Sequence, residues 1–121
     1  MRTVRFDLTG RNSLKQGSTR NWRLRFIQRN GQPVDFTGAT ALAKAVLVSD
    51  PSQAFEFDAY FEAPATNGVL VINVPWQTAA LMPPGLYRWD VAIGFAGANQ
   101  VWGAIEGDVE VRATVVAGVL A

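Results

Sequence analysis

Pro83-Pro84-Gly85-Leu86-Tyr87-Arg88-Trp89-Asp90-Val91-Ala92-Ile93 decides the fold. The first three residues set a turn, because proline fixes φ on entry and glycine accepts conformations that a Cβ forbids. Behind the turn, Tyr87, Trp89, Val91 and Ile93 recur at every second position. In an extended strand such spacing puts two aromatics and two branched aliphatics on one face. This predicts a central strand with a core on that face. Tyr87 stands where a tyrosine corner would bond back to the preceding connection; a half-buried strand tyrosine is the alternative.

The neighbouring segments carry the same period. Val4, Phe6 and Leu8 alternate with Thr3, Arg5 and Asp7, which predicts a first strand with those apolar residues on the core. Gly10 to Ser18 is polar and reads as a solvated loop, mildly basic through Arg11, Lys15 and Arg20. Trp22, Leu24 and Phe26 alternate with Arg23, Arg25 and Ile27, so the arginines face outward. Asn30-Gly31-Gln32-Pro33 is a turn, and Gly38 marks a bend. Ala41 to Val48 is apolar except for Lys44. With Lys44 in water, Leu42, Val46 and Val48 share its face, and Ala41, Ala43, Ala45 and Leu47 point inward. A helix is the other reading of this alanine-rich run.

Phe55, Phe57, Ala59 and Phe61 alternate with Glu56, Asp58, Tyr60 and Glu62, giving an acidic outer face that can pair with the arginine strand. Asn67-Gly68 is a hairpin signal before the apolar strand Val69 to Val74. Between Pro75 and Pro83 a short helix is expected, with Trp76, Ala80 and Leu81 closing one end of the core. A hairpin turn spans Gly94 to Gln100. In the last strand, Val101 to Arg112, the residues Val101, Ile105, Val109 and Val111 share one face with Gly103 and Gly107. Trp102, Glu106, Asp108, Glu110 and Arg112 share the other. The glycines suggest bulges or close approach of another backbone. About seven short strands with turns between them predict an all-β, immunoglobulin-like antiparallel β-sandwich with one short helix. It occupies residues 1–112, and residues 113–121 form an apolar tail.

Composition narrows the chemistry. The 121 residues suit one domain, and with 49% hydrophobic and 17% charged residues a core can form. A net charge of +1 gives no general attraction for phosphate backbones, so no nucleic-acid partner is expected. Without cysteine or histidine, this chain builds no disulfide, no thiolate site, no His-based triad and no ordinary zinc site. Met1 to Asp7 has no apolar run behind its basic residues, so it does not read as a secretory signal. No stretch approaches the roughly 18 apolar residues of a membrane span. Glu56, Asp58, Glu62, Glu106 and Asp108 are the candidate carboxylates for hydrolysis or cation binding, and their spacing matches ordinary strand-surface charge. No catalytic residue, cofactor or metal is expected.

Several motifs occur in one order: Phe6-Asp7-Leu8-Thr9, Gly17-Ser18-Thr19, Asn30 to Thr40, Asn67-Gly68-Val69, Gln77 to Leu81, Pro84 to Val91 and Gly107 to Val111. The series resembles immunoglobulin-like virion proteins of tailed bacteriophages. It is similar in particular to the N-terminal domain of the baseplate upper protein family. Phe36 stands where that pattern usually has Leu, and Trp89 where it more often has Tyr.

The resemblance implies a non-catalytic structural protein of the virion, assembled in the bacterial cytoplasm. A tail, baseplate or fibre-attachment position comes first, and a capsid decoration protein or a sugar-binding attachment module using Trp102 or Tyr60 comes next. The expected partners are other virion proteins and further copies of this chain in a symmetric ring. The expected contacts are Leu42, Val46 and Val48 on the sheet and Val115, Val116, Val119 and Leu120 in the tail.

Overall fold

The computed structural model describes residues 3–95, 97 and 100–113. In chain order come β1 (Val4–Arg5), β2 (Leu14–Lys15), β3 (Arg20–Arg25), β4 (Ala39–Leu47), β5 (Ala54–Phe61), β6 (Val69–Val74), α1 (Trp76–Leu81), β7 (Gly85–Phe95) and β8 (Gln100–Arg112). The protein is all-β with one short helix. Its strands form one curled path, β1-β8-β7-β4-β5-β6-β3, with β2 joined beside β8. β5 turns the corner: Ala54 to Phe57 face β4, and Asp58 to Phe61 face β6.

The stretch from Pro83 to Ile93 is central. β7 pairs along the whole of β4 on one flank and with β8 on the other. Tyr87, Trp89, Val91 and Ile93 are all buried, alongside Leu70, Ile72 and Val74 of β6 in the same core. Phe26 links the curled ends, edge-on to Phe36 at 5.7 Å and to Trp102 at 5.5 Å. Tyr87 forms the predicted corner, its hydroxyl donating to the Pro83 carbonyl oxygen at 2.6 Å.

Burial pushes the Tyr87 hydroxyl up to about 12. The folded state thus favours the neutral phenol, whereas the unfolded chain ionises near pH 10. This part of the stability is complete below about pH 10 and drains away as pH rises towards 12, at ~1.4 kcal/mol per pH unit. Tyr87→Phe is expected to lose ~1 kcal/mol at pH 7 with the hydrogen bond. Its stability should fall less steeply than the parent's between pH 10 and 12, which urea denaturation across that range checks.

Several expectations need correction. The sheet is mixed, because β1 and β2 run parallel to β8. No hairpin dictates that direction: Thr3 and Gly103, joined by a side-chain bond, lie 100 positions apart. The first strand is only two residues long, and Val4 on it is exposed while Leu8 is buried.

The segment from Gly10 to Ser18 is more than a solvated loop. It holds β2, whose Leu14 is buried beside Val111. In α1 the core-facing residues are Ala79 and, just past the helix, Met82, while Leu81 is exposed. Trp76 is half-buried, so positions 76, 79 and 82 form the inward stripe that a helical period allows.

In β8, Val91 pairs with Ile105 but Ala92 pairs with Gly103, leaving Ala104 without an opposite residue. One extra residue inverts the faces beyond it. Ala104 and Ile105 are therefore both buried, Val101 points to water, and Trp102 turns inward onto Phe26.

Two glycines permit close approach. Gly68 sits at φ 70°, and a Cβ there would lie 2.6 Å from the Phe26 carbonyl oxygen. At Gly107 a Cβ would strike the Phe6 carbonyl oxygen of the segment following β1.

Candidate docking face

β4 is a strand because its alanines answer large neighbours. Ala43 lies between Phe57 of β5 and Val91 of β7, and Ala45 between Phe55 and Trp89. Small residues between large ones let the rings fill the core without strain. The alternate side chains Leu42, Lys44 and Val46 must then face outward, and Val48 follows them just past the strand end.

A row of charges crosses the middle of this outer face. Glu56, Lys44, Asp90, Glu106 and Arg5 are successive cross-strand neighbours on β5, β4, β7, β8 and β1. Asp90 stands opposite Glu106, a like-charge pairing that Lys44 and Arg5 flank on either side. Arg5 is anchored: its guanidinium meets Asp7 at 3.0 Å and Asp108 at 3.1 Å. The Asp108 backbone N–H, donating to Asp7 at 2.9 Å, holds the Asp7 carboxyl below its ordinary range, with help from Arg5. That network fixes β1 against β8 through groups near water, so each ion pair adds little stability of its own.

Apolar groups flank the charged row on both sides. Leu42 is 50% exposed beside Ala92, with Gly103 on the strand beyond. At the other end, Val48 is 48% exposed and bonds through its N–H to the carbonyl of Leu86, itself 48% exposed. Val46, half-buried beside Arg88, joins this second patch to the row. The structure thus brings Leu42, Val46 and Val48 together on one face and adds Leu86. The signal for Leu86 was its parity with Arg88 and Asp90, obscured by its place directly behind the turn.

The remaining candidates are dispersed. Val115, Val116, Val119 and Leu120 lie outside the described residues. Glu62 pairs with Arg23 at 2.6 Å, reaching past β6, which separates the acidic strand from the arginine strand. Direct pairing of those two strands is therefore corrected to an ion pair across an intervening strand. Asp58 accepts a bond from Asn73 Nδ2 at 3.4 Å. Among the described residues, no group of three or more acidic side chains is arranged to hold a metal ion. Tyr60 is exposed, but Trp102 packs toward the core, which corrects its expected place on the outer face.

No protein-family model matches this chain, and no curated protein does either.

Proposed function

We propose that this protein is a structural building block that works by docking among neighbouring proteins through the outer face of β4 and β7. The observation that carries this reading is the exposure of Leu42, Val48 and Leu86 on a regular, well-buttressed sheet. Exposed apolar side chains on a rigid face favour a protein partner over open water. The charged row between them supplies register, since a partner must offer matching signs or leave charges unpaired.

The motif order resembling immunoglobulin-like virion proteins supports a place in a tailed-phage particle, as a tail, baseplate or fibre-attachment component. In a symmetric assembly, copies would repeat one contact around an axis, with the apolar segment 113–121 as a second contact. The test is amine labelling of the protein in purified particles and as an isolated domain. Lys44, one of the chain's two lysines, stands in the middle of the proposed contact and is exposed in the single chain.

A further inference from the structure

β3 is the last strand on the sheet path and, among the described residues, has a hydrogen-bonded neighbour, β6, on one flank only. On β6 the inward residues Leu70, Ile72 and Val74 are fully buried, whereas on β3 the inward Trp22 and Leu24 pack against the core but stay partly open to solvent at the edge. Arg20 lies over the Trp22 ring at 5.4 Å, a partial cover at one end.

The outward side chains of this edge are Asn21, Arg23 and Arg25. Arg23 and Arg25 line a shallow hollow together with Asn67 and Val69. Arg23 already holds one carboxylate: its Nε donates to Glu62 at 2.7 Å. Arg25 has no carboxylate partner among the described residues.

Free strand edges invite pairing, and like charges select against the wrong partner. Two antiparallel copies of β3 would set Arg23 against Arg23 or Arg25, a repulsive match. A strand of opposite charge meets no such penalty. We infer that the open edge of β3 is a strand-addition site for an extended acidic segment of another protein, with carboxylates alternating with apolar side chains. The period of two sends its apolar groups over Trp22 and Leu24 and its carboxylates toward Arg23 and Arg25. This site is separate from the outer face of β4 and β7, and neither reading depends on the other.

The test uses the full chain and a capped synthetic nonapeptide of alternating valine and glutamate, followed by amide chemical shifts. Saturable shifts are expected along residues 20–25. Arg25→Glu, an exposed change that leaves the core untouched, should weaken binding about tenfold, the worth of one charge-assisted hydrogen bond. A peptide with lysine for glutamate should bind at least as poorly. N-methylation of its edge-facing amides should abolish binding. The inference is overturned by an absence of saturable shifts at residues 20–25 or by affinity indifferent to the peptide's charge. Displacement of the peptide by a single-stranded oligonucleotide would also overturn it, by assigning these arginines to phosphate.

Discussion

Gly107→Ala is expected to destabilise the domain by about 3 kcal/mol or more, a large effect for one added methyl group. The new Cβ would collide with the Phe6 carbonyl oxygen and come within 2.8 Å of Asp7 Oδ1. Both belong to the segment that follows β1, and its backbone would have to move. That movement breaks the bonds from the Phe6 N–H to Glu106 at 3.0 Å and from the Leu8 N–H to Asp108 at 2.7 Å. It also draws Leu8, fully buried, away from the core. Urea denaturation measures the cost. A Gly107→Ala variant within 1 kcal/mol of the parent would mean that the segment yields freely and does not tie β8 into the core.

Trp89→Ala is expected to cost about 4 kcal/mol, the range for emptying a large aromatic from a packed interior. Trp89 is only 3% exposed, and its indole tilts against Phe57 at 6.2 Å and Phe6 at 6.3 Å. Its Nε1–H donates to the Phe6 carbonyl oxygen at 2.8 Å. That is the same oxygen that Gly107 leaves room for, and Trp89 and Gly107 are direct cross-strand partners. The large residue and the missing side chain therefore serve one purpose, to seat the N-terminal segment on the sheet. Because both substitutions disturb that carbonyl, their combined cost should fall short of the sum by about 1 kcal/mol. Additive costs in the double-mutant cycle would show that the two residues act separately.

The strands that were legible in the sequence are those with one face in water. β3, β4, β5 and β7 each alternate because burial on one side and solvent on the other impose a period of two. Lys44 even fixed the parity of β4, and with it the outward placement of Leu42, Val46 and Val48. What stayed hidden depends on contacts distant in the chain. The bulge at Ala104 inverts β8, yet Val101 and Trp102 are both apolar, so neither marks the inversion. β2 is two residues long, and its Leu14 has no apolar partner in its own segment to reveal a period. The parallel pairing of β1 and β2 with β8 has no local turn to announce it. Glycine at position 107 signals close approach, but its partner, the Phe6 carbonyl, is distant in the chain and leaves no local mark.

The docking reading is tested most directly by the reactivity of Lys44 towards an amine label in purified particles, set against the isolated domain. A face covered by its neighbours predicts rapid labelling of Lys44 in the free domain and labelling reduced to background in the particle. Equal labelling in both states, or particles from which the chain is missing, would contradict it.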